Sequence, residues 1–286
     1  MHLIDLDAIL ETANLGVRRT AVFLGLGINA ANDDALQDYQ LTKLTQIQLV
    51  PSNASKEAVG EYKAEFARWL MACGLRELVE TFSVFLDQMH AACLTFAVHQ
   101  RQIPAEQEKE YGKAFVWKGL RDKLQLLESR FRITTTGAGY ISDANKARNC
   151  FTHRRGIVGP EDCETSHSMT IRWPGMDLYI ETPTGDTISL DPPFPEEGIL
   201  VEGGGKVMLR RTERVRCFGL GEIVSFAPKD LAEICLLFNL ASGEIMRECI
   251  AYAKSIGVPV VHREAVDQKG ETVGPSEKGK ESVGGG

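Results

Sequence analysis

The sequence predicts an α+β fold that is mainly α, with a small antiparallel sheet inserted before the last helix. Apolar residues recur at spacings of three and four over residues 57–101 and again over 105–131, as in amphipathic helices. From about residue 165 the pattern changes to short alternating runs separated by Gly- and Pro-rich turns, which indicates strands. Pro228 then opens another helical pattern. The expected parts are a helical bundle over 57–160, a β insertion over 165–227 and a helix over 228–258 that packs on the bundle.

The first 56 residues are predicted to form a helical extension followed by a linker. Residues 3–16 fit one helix, and the sequence at 51–56 has the composition of a turn-rich connection. Ser55 is placed to cap the helix that follows. At the other end, residues 264–286 contain almost no apolar side chains, so we expect a disordered tail.

Two long helical segments form the first part of the predicted bundle. The segment over 57–101 contains Gly74, which is a candidate for a kink. The segment over 105–131 is predicted to be one helix. Trp69 and Trp117 lie on these segments, and we assign both to the core.

A shorter helix is expected after a loop over residues 134–139. Ser142 or Asp143 would cap its N-terminus, and the helix would run to Arg155. Gly156 stands where a helix C-terminal stop is expected.

The β insertion is predicted from alternating runs that are separated by tight turns, one of them at Trp173-Pro174-Gly175. The predicted strands cover residues 169–173, 177–181, 187–190, 199–202, 206–210, 215–218 and 222–226.

Composition favours a cytoplasmic globular protein. The chain has 286 residues, of which 43% are hydrophobic and 25% charged. No apolar run approaches the roughly 20 residues needed to span a bilayer, and no signal-peptide pattern is visible. The seven cysteines include no C-x-x-C pair, which favours a reducing compartment over a disulfide framework.

The charge distribution is uneven although the net charge is −7. Residues 113–155 contain ten Lys and Arg side chains against three acids, and residues 206–216 contain five against one. Local charge builds a phosphate-binding field more than net charge does, so these segments are candidate nucleic-acid surfaces; the alternative is that their Lys and Arg side chains line solvated helix faces.

The helix over residues 142–155 is predicted to carry a polar strip. At 100° per residue its polar side chains form one arc, with Arg148 and His153 at the two rims, about 140° apart. The opposite, buried face is predicted to consist of Ala144, Ala147, Cys150 and Phe151. The members of the strip are Asn145, Arg148, Asn149, Thr152 and His153.

This arrangement suits cleavage of RNA through its 2′-OH. Such a reaction needs a group that moves a proton and a cation that stabilises charge on the phosphate. His titrates near neutrality, and Arg binds phosphate oxygens through two N–H groups while staying charged.

The sequence Arg148-Asn149-Cys150-Phe151-Thr152-His153 resembles the motif of the HEPN superfamily (higher eukaryotes and prokaryotes nucleotide-binding). In that motif four to six residues separate an Arg from a His, and the first of these residues is a polar Asn, Asp or His. The resemblance covers the helical bundle, but not the first 50 residues, the β insertion or the tail. It implies a metal-independent endoribonuclease that dimerises so that two motifs share a cleft, often as a toxin or defence effector.

On that basis the predicted catalytic residues are Arg148, Asn149 and His153. The predicted RNA- or phosphate-binding residues are Asn145, Lys146, Thr152, Arg154 and Arg155. The expected partners are RNA, a second copy of the chain, and an antitoxin or regulatory protein, with no membrane. The alternative is a non-catalytic HEPN-like module that binds nucleic acid or protein.

No cofactor or metal is expected. The chain has no G-x-x-x-x-G-K-[ST], H-E-x-x-H or G-x-S-x-G motif. Residues 25–30 spell G-x-G-x-x-A, but no βαβ unit is predicted around them, so a dinucleotide site is not indicated.

Overall fold

The computed structural model describes residues 3–42, 49–163, 167–190 and 198–261. In chain order they form α1 (Leu6–Asn32), α2 (Lys56–His99), α3 (Ala105–Val116), α4 (Leu120–Phe131), α5 (Ala138–Arg154), a 3-10 turn (Pro160–Asp162), β1 (Ser168–Glu181), β2 (Thr187–Ser189), β3 (Lys206–Gly219) and α6 (Pro228–Ser255). The predicted α+β class, mainly α, is confirmed. The tail predicted to be disordered, 264–286, lies outside the described residues.

Helix α2 forms the centre of the molecule and contacts the five other helices. Its predicted helical span is confirmed, and Ser55 caps it by accepting a hydrogen bond from the Ala58 N–H at 3.3 Å. Its apolar residues from Leu75 to Ala97 are the main part of the core. The helix runs through Gly74 as one element; a side chain at Gly74 would press on that of Leu24.

Among the described helices, α2 is long and apolar enough to cross a bilayer by length and composition, but 56% of its most apolar window is buried inside the protein. Burial of this kind is typical of the core helix of a globular protein, which can be as long and as apolar as a membrane-spanning helix.

Helix α1 is about twice as long as predicted. Asp5 accepts a hydrogen bond from the Ala8 N–H, and the helix continues to Asn32 rather than ending near residue 16. It packs closely on α2 because Gly16 lies against Thr81 and has no side chain to separate the two helices. The G-x-G-x-x-A sequence is therefore part of a helix and not a phosphate-binding loop.

The predicted helix over 105–131 is two helices, α3 and α4. They are separated at residues 117–119, where Trp117 ends α3 and the extended Gly119 precedes α4. Both tryptophan predictions were wrong: Trp69 is 61% and Trp117 89% exposed.

Helix α5 begins earlier than predicted, at Ala138, so neither Ser142 nor Asp143 is its N-cap. The Ser142 hydroxyl donates to the Ala138 carbonyl, one turn back. Asp143 is buried and accepts hydrogen bonds from the backbone N–H and the Nε of Arg172 in β1. The carboxylate thus joins α5 to the sheet instead of starting the helix.

The sheet has fewer and longer strands than predicted, in the order β2-β1-β3, and all its pairings are antiparallel. The predicted runs at 169–173 and 177–181 are one strand, β1, and those at 206–210 and 215–218 are one strand, β3. Two predicted runs do not form strands: 199–202 and 222–226.

Pro174 does not interrupt β1, although a turn was predicted there. The N–H groups of Arg172 and Met176, two residues to either side, donate to carboxylates of α5 and α6 and not to β3. Because N–H direction alternates along a strand, the missing N–H of Pro174 falls on the same outer edge and removes no bond from the β1–β3 ladder.

The sheet is fixed to α6 by a buried carboxylate. Glu233 accepts hydrogen bonds from the Trp173 indole N–H at 2.9 Å and the Met176 N–H at 3.1 Å, and it pairs with Arg214. Helix α6 begins at Pro228 as predicted, and Phe238 packs edge-on against Phe82 of α2.

Candidate active site

The C-terminal half of α5 carries the residues predicted to be catalytic. The helix ends with Arg155 in the left-handed conformation at φ 56°, and the Gly156 N–H bonds back to the Cys150 carbonyl at 3.2 Å. Gly156 has φ +80°, and a side chain there would lie 2.7 Å from the Phe151 ring. The predicted stop is confirmed, and it needs glycine for both reasons.

The predicted division of this helix into two faces is confirmed. Ala144, Ala147, Cys150 and Phe151 are buried. On the polar strip, Asn145, Arg148 and Asn149 are half-buried, whereas Thr152 and His153 are exposed. The strip is therefore half-buried at its N-terminal end and exposed at the last turn of the helix.

Arg148 lies in the half-buried part of the strip. Its Nε is buried and has no hydrogen-bond partner among the described residues. Burial lowers the pKa of Arg148, and the nearby carboxylate of Glu80 on α2 opposes that change. The guanidinium stays charged. A buried, unsatisfied donor on a cation is a position where an anionic ligand would be stabilised.

Asn145, which precedes Arg148 by about one helical turn, has a similar unsatisfied atom: its Oδ1 is buried without a partner among the described residues. An amide with an open acceptor can take a hydrogen bond from a hydroxyl group. These two half-buried residues thus offer one cationic donor and one neutral acceptor.

Three cationic side chains of the predicted RNA-binding set have different surroundings. The Lys146 ammonium lies 2.8 Å from the Asp143 carboxylate. Arg154 donates to Asp162 from Nε and Nη2 and to Glu161 from Nη1, bonds that raise its pKa. Arg155 is exposed at the end of the helix.

The positive field is weaker than the count over residues 113–155 indicates, because acids from outside that segment pair with its cations. Asp87 of α2 pairs with the buried Lys123 at 2.7 Å. Asp162 and Glu161 do the same for Arg154. The second basic run is also neutralised in part, since Arg214 pairs with Asp177 and Glu233.

Nothing in the sequence marks Glu80 as a neighbour of Arg148. Glu80 lies on α2, and the motif gave no indication of which helix faces Arg148. Glu80 is 61% exposed and lies 3.9 Å from Arg76 on its own helix, so its carboxylate remains open to solvent. The described residues contain no group of three or more His, Cys, Asp and Glu side chains that could hold a metal ion.

No protein-family model, curated protein or solved structure matches this chain. The resemblance to the HEPN superfamily is therefore carried by the six-residue motif and its place on α5.

Proposed function

We propose that this chain is a metal-independent endoribonuclease of the HEPN type that cleaves RNA through the 2′-OH. The observation that carries the proposal is the polar strip of α5: a half-buried Arg148 with an unsatisfied Nε at one end and an exposed His153 at the other. Asn149 lies between them, one turn before His153.

In the proposed reaction the 2′-oxygen attacks the adjacent phosphorus and the bond from phosphorus to the 5′-oxygen breaks. His153 takes the proton of the 2′-OH, and the imidazolium that forms returns this proton to the departing 5′-oxygen. The products are a 2′,3′-cyclic phosphate and a 5′-hydroxyl. Arg148 stabilises the charge that develops on the non-bridging oxygens, and Asn149 orients the phosphate or the imidazole.

Burial supports this role for Arg148. A guanidinium that is already partly removed from water needs less desolvation when an anion arrives, and its charge is less screened there than at the surface. The exposed His153, in contrast, is accessible to a substrate and to solvent protons.

In this proposal Arg155, Lys146, Thr152 and Asn145 contact the RNA backbone beside the reacting phosphate. Arg154 acts as a positioning residue, because its bonds to Asp162 and Glu161 hold the end of α5. A second copy of the chain faces the strip and contributes a second Arg and His, as the resemblance implies. The setting is the cytoplasm, with an antitoxin or regulatory protein as a further partner.

The proposal is tested with purified protein and a single-stranded RNA in the presence of EDTA. Wild type is expected to leave 2′,3′-cyclic phosphate ends and to spare DNA of the same sequence. His153→Ala is expected to lose about two to four orders of magnitude in rate. His99→Ala, at an exposed histidine at the end of α2, is the matched control and should cleave like wild type.

A second candidate function is a non-catalytic module that binds RNA or protein. It is favoured by the pairing of Lys123, Lys146 and Arg154 with acids, which reduces the charge available to a long nucleic acid. This module would bind RNA with an affinity that Arg148→Ala weakens, and it would leave the RNA intact.

A further inference from the structure

Strand β3 is a long strand at one edge of the sheet formed by the described residues. It pairs with β1 over its whole length, from Lys206 opposite Glu181 to Gly219 opposite Ser168. In β1 the even-numbered residues turn their peptide groups away from β3: the Arg172 and Met176 N–H groups donate to α5 and α6, and the Leu178 carbonyl accepts from the segment after β2.

The odd-numbered residues of β1 therefore make the bonds to β3, and their partners in β3 are even-numbered. It follows that the odd-numbered residues of β3 direct their N–H and C=O groups to the outer edge. These residues are Val207, Leu209, Arg211, Glu213, Val215 and Cys217.

Their side chains also lie on one face, and all six residues are exposed, although the Glu213 carboxylate accepts a hydrogen bond from the Tyr140 hydroxyl of α5 at 3.0 Å. Val207 is 66%, Leu209 54% and Val215 53% exposed. Within the described ranges no backbone bond reaches this edge from another element. An edge of this length with exposed apolar side chains is a template for a further strand.

The sequence of this edge is complementary to itself. In an antiparallel pair of two β3 strands centred on Thr212, Arg211 lies opposite Glu213 of the second copy, and Glu213 opposite its Arg211. In the same register Leu209 lies opposite Val215. Two ion pairs at the centre are thus flanked by apolar pairs on both sides.

Neighbouring registers lack this complementarity. If the two-fold axis passes through Arg211, two arginines face each other; if it passes through Glu213, two glutamates do. If the register shifts by one residue, odd-numbered residues lie opposite even-numbered residues of the second copy. The peptide groups of the even-numbered residues already bond to β1, so they cannot bond across the new pair. Charge complementarity therefore selects the register centred on Thr212.

The opposite face of the strand tolerates this pairing. Arg210 would lie opposite Arg214 of the second copy, but each of these side chains already has a carboxylate partner in its own chain. Arg214 pairs with Asp177 and Glu233, and Arg210 lies 3.7 Å from Asp177.

We propose that two copies of this chain associate through their β3 strands, antiparallel and centred on Thr212, to form a continuous six-stranded sheet. The interface does not rest on the proposed nuclease activity. It uses a different surface from the strip on α5, so a chain that uses both surfaces forms a tetramer where the two two-fold axes are perpendicular and meet.

A charge swap tests the pairing. Arg211→Glu places glutamate opposite glutamate in both central pairs, and it should raise the dissociation constant of the β3 contact by about tenfold or more. In a light-scattering dilution series the mass then falls by half at a protein concentration at least about tenfold higher than for wild type, whether the starting assembly has two chains or four. Glu213→Arg should do the same, and the double variant Arg211→Glu/Glu213→Arg should restore the wild-type mass.

Circular dichroism of each variant shows whether the fold is kept. The proposal is overturned if wild type and Arg211→Glu have the same mass throughout the dilution series, as when the edge binds an extended peptide of another protein instead. It is also overturned if the double variant, folded, dissociates as readily as Arg211→Glu.

Cross-linking tests the register by a separate measurement. In a Cys217→Ser background, Thr212→Cys places two cysteines opposite each other in a non-hydrogen-bonded pair, with Cβ atoms about 4.5–5.5 Å apart. Mild oxidation should convert most of the protein to a reducible dimer. Met208→Cys, which would lie opposite Arg216, is the matched control and should remain largely uncrosslinked. Equal cross-linking of both variants contradicts the register.

Discussion

Replacing Gly16 by alanine tests the close packing of α1 on α2. A Cβ atom at this position would overlap the Thr81 hydroxyl and lie 2.6 Å from the Thr81 Cβ. Thr81 cannot relieve this by a rotamer change, because its Cβ is fixed to the backbone and its hydroxyl donates to the Glu77 carbonyl at 2.6 Å. The two helices must therefore separate.

The magnitude follows from two opposing effects. Alanine is favoured over glycine in a helix interior by about 1 kcal/mol. Forcing an extra methyl group into a filled contact costs roughly 1–3 kcal/mol, and more where backbone must move. Since the overlap here involves a Cβ atom, we expect a net loss of about 1–2 kcal/mol, or a thermal midpoint lower by about 2–8 °C.

Gly25→Ala is the matched control on the same helix. No atom lies within 4 Å of the position that its Cβ would take, so only the helix preference acts and the midpoint should rise by about 2–4 °C. Thermal unfolding monitored by circular dichroism at 222 nm compares the two variants with wild type. Two midpoints that move in the same direction would refute the packing described for α1.

Three further predictions concern the buried carboxylate, the end of α5 and the cation. Burial acts to raise the pKa of the Glu233 carboxyl, but its bonds to Arg214, Met176 and Trp173 lower it below the usual value. The ionised Glu233 therefore stabilises the fold above about pH 4.5, and this stabilisation is lost as the pH falls through the pKa of the folded state. Glu233→Gln should lower the free energy of unfolding at pH 7. It should also reduce the loss of stability at acid pH, as measured by urea titrations. Gly156→Ala, at φ +80° and 2.7 Å from the Phe151 ring, should cost about 1–3 kcal/mol in the same titrations; an unchanged midpoint would contradict the helix end described here. Arg148→Lys should keep the fold but cleave RNA at least about tenfold more slowly, since a point charge does not replace the planar guanidinium; wild-type rates would remove Arg148 from the mechanism.

The elements that periodicity predicted correctly are those with a wide apolar face. Helices α2 and α6 bury large side chains at regular spacing, and their bounds were predicted to within a few residues. The second half of α1 was missed because its apolar residues do not mark its buried face: Thr20 and Leu24 are buried against α2, whereas Phe23 and Leu26 are exposed.

The strands show a different limit. A proline normally ends a strand, and whether Pro174 does so depends on which edge its nitrogen faces. That direction is set by pairing with β3 and by carboxylates from Asp143 and Glu233, which are distant in sequence.

The part of the candidate site that lies on a single helix, α5, could be predicted from the sequence. The faces of α5 follow from the 3.6-residue period, so the strip from Asn145 to His153 was predictable. The neighbours of the strip were not: Glu80 reaches α5 only through the tertiary fold, and Asp162 reaches Arg154 only because the chain turns back after the helix.

The most direct test of the proposed activity is the analysis of RNA ends after incubation with purified protein in EDTA. We expect fragments with 2′,3′-cyclic phosphate ends from wild type, and a rate for His153→Ala that is lower by about two to four orders of magnitude. Cleavage that requires added divalent metal, or that proceeds equally fast with His153→Ala, would contradict it.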